Sequence, residues 1–141
     1  MADIDLRSGT VAPGTVVAER VAPPITRALL SHFGGASYDT NPIHVDIDFA
    51  RAAGQPDVFA HGMLIMARLV AVASELADVK RLRSSSGRFV AMTKVGDEIR
   101  STARLVEYRD GPGGREAVLE LVAADQAGEI KIKGEAVIAL A

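Results

Sequence analysis

The chain has 141 residues, of which 48% are hydrophobic and 24% charged, a composition typical of one globular domain covering residues 1–141. The net charge is −2, which leaves no basic surplus to neutralise a phosphate backbone and argues against nucleic acid as a partner. There is no cysteine, which excludes disulfides, thiolate nucleophiles and Cys-ligated metals.

The ends and the apolar segments give no sign of export or membrane insertion. The first ten residues, MADIDLRSGT, contain two acidic residues and no apolar core, unlike a secretory signal. The longest apolar stretch, near residues 63–73, is interrupted by Arg68 and is too short to span a bilayer. We therefore expect a cytoplasmic protein without membrane contact.

The first half of the chain alternates short predicted elements with Pro and Gly turns. We predict, in chain order, a loosely attached lead-in (1–15), a strand (16–23), a short helix that Thr26 caps and the Gly34-Gly35 pair ends, and a second short helix (49–54) started by Asp46 or Asp48.

A long helix is predicted from His61 or Gly62 to about Asp78. Nearly every position in MLIMARLVAVASELA is apolar or small; the polar exceptions are Arg68, Ser74 and Glu75. A helix that is apolar on almost all sides must be wrapped by other structure.

The second half of the chain contains the predicted strands that could surround this helix. We predict them at 87–93, 98–108, 115–124 and 129–141, and interpret the links VGD, RDGPGG and DQAG as hairpins between antiparallel neighbours. The basic stretch VKRLRSSSGR between the long helix and the next strand is interpreted as a solvated link, with contact to phosphates or to an acidic surface of a partner as the alternative. The predicted fold class is α+β, with one buried helix in a curved antiparallel sheet.

The loop DTNPIH places Asp39 and His44 five positions apart around an Asn-Pro turn. A carboxylate and an imidazole on one bend can share a water and exchange protons with it near neutral pH. The alternative is structural, with Asp39 capping the following turn and His44 merely bonded to it.

A second feature, AHGM at 60–63, lies where the long helix is predicted to begin. Free N–H groups at a helix N-terminus suit a polarised carbonyl oxygen, and Gly62 allows close approach to the backbone. The alternative is a tight turn that needs Gly62 for steric reasons, with His61 as a cap or core residue. Together, the two features suit the addition of water across an enone-like double bond.

SYDTNPIHVDIDFARAAG followed by FAHGMLIMARL resembles the hydratase-2 motif of the MaoC-like (R)-specific enoyl-thioester hydratases and dehydratases. GRFVAMTKVGDEI and GEAVIAL resemble the strand segments of that family in order. The resemblance implies a single hotdog fold and the reversible hydration of trans-2-enoyl thioesters to (3R)-3-hydroxyacyl thioesters. It implies no metal and no redox cofactor, and an acyl group carried on coenzyme A or acyl carrier protein.

The resemblance also assigns roles to residues. It implies that Asp39 and His44 are the catalytic pair, that Gly62 polarises the thioester carbonyl and that Asn41 shapes the catalytic loop. We expect substrate contacts from Asn41, Tyr38, His61 and Met63. Two positions depart from the family: Tyr38 stands where many members have Gly or a small polar residue, and Val70 where some have Ser.

The family pairs hotdogs edge to edge, so we expect a homodimer or a heterodimer with another hotdog subunit. A competing hypothesis is a non-catalytic hotdog that binds acyl thioesters or supports a partner, with Tyr38 blocking the site. A thioesterase is a weaker alternative, since it would not need the D-x-N-P-x-H arrangement.

Overall fold

A computed structural model describes residues 4–140 of the chain, and a 13-residue helix lies at its centre. The helices are α1 (Arg27–Ser37), α2 (Ile47–Ala52) and α3 (Gly62–Ser74), with single 3-10 turns at Leu6–Ser8, Pro42–His44 and Val79–Arg81. The strands are β1 (Val16–Val21), β2 (Leu82–Phe89), β3 (Arg100–Gly111), β4 (Gly114–Ala124) and β5 (Ile130–Ala139).

The strands form one antiparallel sheet in the order β1-β3-β4-β5-β2. Two predicted hairpins are confirmed, with β3 pairing β4 across RDGPGG and β4 pairing β5 across DQAG. The third was wrong, because β2 pairs with β5 at the sheet edge and the VGD segment crosses over to β3. The predicted strand at 87–93 also begins earlier, at Leu82. After Leu82, its residues RSSSG are exposed and carry no apolar side chain, so they show no strand-like alternation.

Helix α3 packs on the concave face of this sheet. Leu64, Ile65, Leu69, Val72 and Ala73 are its buried residues. They pack in one core with inward residues of the three central strands, including Ala103, Leu105, Leu119, Leu121, Ile132 and Ile138. The wrapped helix is the hotdog arrangement that the sequence predicted, although α3 ends at Ser74 and not near residue 78.

Helix α1 passes through the glycine pair that we expected to end it. It continues to Ser37, and Thr26 caps its start by accepting a hydrogen bond from Leu29 N at 3.1 Å. Gly34 is buried where a Cβ atom would lie 3.1 Å from the carbonyl oxygen of Asp39. Gly34 therefore permits close packing of the next loop and does not terminate the helix.

We expected residues 1–15 to be loosely attached. Residues 1–3 lie outside the described part of the chain, but for residues 4–15 this expectation was wrong. Leu6 is buried in the core, and Gly14 N donates a 2.7 Å hydrogen bond to Leu105 O. Across residues 4–140, no helix has both the length and the apolar character that a membrane crossing requires.

Candidate active site

The loop between α1 and α2 carries the two predicted catalytic side chains. Helix α1 ends at Tyr38, which adopts a left-handed backbone conformation with φ of 59° and turns the chain toward Asp39. The Asn41 side chain then caps the Pro42–His44 turn by accepting a hydrogen bond from Ile43 N at 3.1 Å. This local geometry leaves Asp39 exposed and sends the side chain of His44 inward, where it is 8% exposed.

The tautomer of His44 follows from its hydrogen bond. Its Nδ1 lies 2.7 Å from the carbonyl oxygen of Phe59. Because a carbonyl only accepts, Nδ1 must carry the hydrogen, and in the neutral ring Nε2 keeps its lone pair. His44 therefore has a nitrogen available to accept a proton.

His61 lies directly behind His44. The two rings stack with centroids 4.0 Å apart, and Phe33 packs edge-on against His61. His61 is only 1% exposed, and its Nε2–H donates to the Asp39 carbonyl oxygen at 3.1 Å. Burial lowers the pKa of His61, although the hydrogen bond to Asp39 opposes that shift. His61 thus contacts both predicted catalytic residues: it donates to the backbone carbonyl of Asp39 and stacks on the ring of His44.

These three residues form a compact cluster. One carboxylate oxygen of Asp39 and one ring nitrogen each of His44 and His61 all lie within 4.8 Å of one another. That spacing accommodates a water hydrogen-bonded to both Asp39 and His44. We assign no metal to the cluster, because ring stacking accounts for the closeness of the two histidines, and His44 Nδ1 and His61 Nε2 each donate to a backbone carbonyl oxygen.

A cavity of about 300 Å³ opens beside His44 at the N-terminus of α3. His44 and Gly62 lie on its wall; the other walls are mostly apolar and include Phe59, Ile65, Phe89, Val90, Met92 and Ile132. Gly62 begins α3, where backbone N–H groups have no partner within the helix. A Cβ atom on Gly62 would lie 2.9 Å from a ring carbon of Phe89, so a larger residue would collide with the cavity wall.

The predicted site residues divide into two groups. Asp39, His44, Gly62 and Asn41 lie at the cavity or support the loop beside it. Tyr38, His61 and Met63 do not line the cavity: Tyr38 is 90% exposed, Met63 is half exposed and His61 is buried behind His44. The Tyr38 side chain lies in solvent and does not block the cavity in this chain.

Two features of the site had no sequence signal. The Phe59 carbonyl fixes the tautomer of His44 through its backbone, which any residue type could supply. The wall formed by Phe89, Val90 and Met92 depends on the crossover after β2, whose path we had predicted differently. Phe89 and Val90 are visible in the sequence only as apolar residues of a predicted strand.

A sequence profile of the MaoC like domain matches residues 9–126, most of the chain. The chain therefore belongs to the MaoC-like hydratase/dehydratase family, which confirms the resemblance found in the motifs. The match ends before β5, whereas the solved structures below cover 92% of this chain.

Two solved structures illustrate this similarity. The unliganded R-hydratase PhaJ1 from Pseudomonas aeruginosa has 26% identity and a TM-score of 0.78, covering 92% of this chain and 82% of that one. The ChsH1-ChsH2 complex from Mycobacterium tuberculosis has 16% identity and a TM-score of 0.77, covering 92% and 98%, and at that identity shows the fold alone.

Among curated proteins, the fatty acid synthase subunit beta of Aspergillus oryzae is 42% identical over 79 residues. The match covers 54% of this chain but only 4% of that much longer relative. This short match therefore supports no conclusion from the activity of the whole synthase subunit.

Proposed function

We propose that the chain catalyses the reversible addition of water to trans-2-enoyl thioesters, giving (3R)-3-hydroxyacyl thioesters. One observation carries this proposal. A carboxylate oxygen of Asp39 and a ring nitrogen of His44 lie within 4.8 Å of each other, beside a mostly apolar cavity that has Gly62 on its wall. Family membership supports the same class of reaction, and the R-hydratase PhaJ1 supports the stereochemistry.

Gly62 is the proposed electrophilic group. Its N–H, at the positive end of the α3 dipole, would donate to the thioester carbonyl oxygen. Negative charge grows on that oxygen as water adds to the double bond. A fixed donor there contributes about 3–4 kcal/mol to transition-state stabilisation.

Asp39 and His44 are the proposed proton-transfer pair. The water oxygen bonds to Cβ, one water proton passes to the pair, and one proton is delivered to Cα, so the pair ends with the number of protons it began with. His44 is suited to accept because its Nδ1 hydrogen is held by Phe59 O and its Nε2 lone pair is free. The exposed Asp39 can exchange protons with solvent between turnovers.

Assembly is the second part of the proposal. Strand β2 has a neighbour on one side only, β5, and such an edge can pair with another chain. We propose a homodimer or a heterodimer with a second hotdog; ChsH1-ChsH2 is described as a complex of two chains. The substrate would be carried on coenzyme A or acyl carrier protein.

The direct test is loss of enoyl absorbance when purified protein is mixed with crotonyl-CoA. We expect turnover by the wild type and losses of about 100-fold or more for Asp39→Asn and for His44→Gln. Gly62→Ala should lower turnover by about 100-fold, through displacement of the carbonyl-binding N–H. Asp48→Asn, which removes an exposed carboxylate from the first turn of α2, is the matched control and should retain activity.

Two results would contradict the proposal. Full activity in Asp39→Asn would show that the loop is structural. Release of free thiol, with the double bond intact, would identify a thioesterase. If crotonyl-CoA is inert, longer enoyl-CoA and enoyl-acyl carrier protein are assayed with and without hotdog partners from the same host. Inertness in all of these would support the non-catalytic alternative.

A further inference from the structure

We propose that a second cavity, between α3 and the edge strand β1, binds a small monocarboxylate. This cavity measures about 270 Å³. Its polar lining residues are Arg68 from α3, Ser101 from β3 and Arg20 from β1. The remaining walls are apolar and consist of Ala22, Leu64, Ala67 and Ala71.

Arg68, which lines the cavity, has one guanidinium nitrogen without an acceptor. Arg68 Nη1 is buried, and no atom of residues 4–140 accepts a hydrogen bond from it. No carboxylate in that part of the chain forms an ion pair with Arg68, whereas Arg20 is paired with Glu75. Burial lowers the pKa of Arg68, yet a guanidinium stays charged at physiological pH. Arg68 as a whole is partly exposed, so solvent reaches part of the guanidinium, but its buried Nη1 loses a hydrogen bond that it would make in water.

Ser101 adds a second polar group on the same side. It lies on the inward face of β3, where the next two inward residues, Ala103 and Leu105, are fully buried in the core. Ser101 itself is 2% exposed, so a hydroxyl replaces an apolar side chain at a core position. An arginine and a serine thus interrupt an otherwise apolar contact between α3 and the sheet, and both line one cavity.

Charge, shape and lining together indicate the ligand class. A guanidinium binds a carboxylate through two parallel hydrogen bonds, and one carboxylate neutralises the one uncompensated charge. The apolar walls suit a short hydrocarbon tail, and the volume is near the lower end for ligand sites. Inorganic phosphate fits less well, because it carries more charge and no apolar part.

This site is separate from the proposed catalytic cavity. The two cavities share α3 but no lining residue, since Gly62 and Ile65 face one and Leu64 and Arg68 face the other. The binding proposal therefore does not rest on the proposed reaction, and either can fail without the other.

Calorimetric titration of the wild type with butyrate, acetate and inorganic phosphate in chloride-free buffer tests the proposal. We expect butyrate to bind, acetate to bind more weakly and phosphate to bind least. Arg68→Met keeps an unbranched side chain but removes the guanidinium, and should weaken butyrate binding by about 10-fold or more. Ala71→Leu keeps the charge and fills the cavity, and should weaken binding similarly. Arg51→Met removes an exposed charge from α2 and should leave binding unchanged.

Three results would overturn the proposal. The first is no butyrate binding to the wild type at tens of millimolar, which would mean that solvent alone compensates Arg68. The second is equal weakening in Arg68→Met and Arg51→Met, which would indicate an effect of net charge. The third is loss of binding in Gly62→Ala with retention in Ala71→Leu, which would place butyrate in the catalytic cavity.

Discussion

Two polar centres in this chain differ in how completely their groups are satisfied. The candidate catalytic cluster (Asp39, His44 and His61) contains a buried nitrogen, His61 Nδ1, with no hydrogen-bond partner in residues 4–140. The Lys131 cluster surrounds an ammonium that is 1% exposed. Its Nζ lies 3.0 Å from Asp125 and 3.5 Å from Asp97, and also contacts Glu129.

The difference separates a candidate reaction site from a structural one. Burial alone would lower the pKa of Lys131, but its hydrogen bonds to Glu129 and Asp125 outweigh burial, and the net pKa is raised. The Lys131 ammonium therefore stays charged, and carboxylates surround it. In the candidate catalytic cluster, by contrast, the His44 ring faces a cavity and retains a free nitrogen. A titratable side chain that faces a cavity, such as His44, indicates function more strongly than a buried charge whose hydrogen bonds are satisfied.

The largest expected effect comes from Lys131→Met. Removing the ammonium leaves three carboxylates without their shared counterion and should lower the free energy of unfolding by about 3–5 kcal/mol. The Lys131 carbonyl still accepts from Val90 N at 2.8 Å, so the cavity wall and the turnover per folded molecule should change little. Urea denaturation and the enoyl assay, run on the same sample, measure both. A large loss of turnover with unchanged stability would reverse our assignment of the two centres.

A pH series sharpens the same comparison. Hydrogen bonding to Lys131 lowers the pKa of Asp125, so the stability from that carboxylate is lost only as the pH falls below about 4. The pKa of His61 is lowered by burial, so below about 6.5 the unfolded chain binds a proton that the folded chain does not. Stability should therefore begin to fall because of His61 as the pH drops below about 6.5, before Asp125 contributes.

His61→Gln supplies the control for that pH series. Glutamine does not titrate and can still donate to the Asp39 carbonyl, so the fall in unfolding free energy below about pH 6.5 should be smaller than in the wild type. Denaturation curves at several pH values give the slopes. Identical slopes in the two proteins would show that His61 is not the group that titrates.

The smallest expected effect is a gain from Tyr38→Gly. The left-handed backbone conformation at Tyr38 destabilises the folded state by about 1–2 kcal/mol. Glycine removes this strain, but its greater freedom in the unfolded chain offsets about 0.5–1 kcal/mol of the gain. We expect a net gain of about 0.5–1 kcal/mol in unfolding free energy, because the exposed Tyr38 side chain buries almost nothing. Turnover should persist if Tyr38 does not touch substrate. A fall in stability would mean that the tyrosine makes a contact, for example with a second subunit.

Local pattern determined most of the fold. The apolar helix, the alternating strands 115–124 and 129–141 and two glycine-containing hairpins are short-range signals, and each was predicted at nearly its observed position. The start of edge strand β2 was misplaced, because the exposed residues RSSSG at 83–87 have no periodic apolar signal. Gly34 was misinterpreted because glycine both ends helices and permits close packing, and only the neighbouring Asp39 carbonyl distinguishes the two.

For the candidate site, the sequence by itself determined the residue types: Asp39 and His44 on one turn, Gly62 at a helix start, and through these the family. Only the tertiary structure decided that His61 lies behind His44, that Phe59 O fixes the His44 tautomer, and that Arg68 faces a cavity with Ser101. Such facts depend on contacts between residues far apart in the chain. No local periodicity or spacing encodes them, because they arise only when the helix and the sheet pack together.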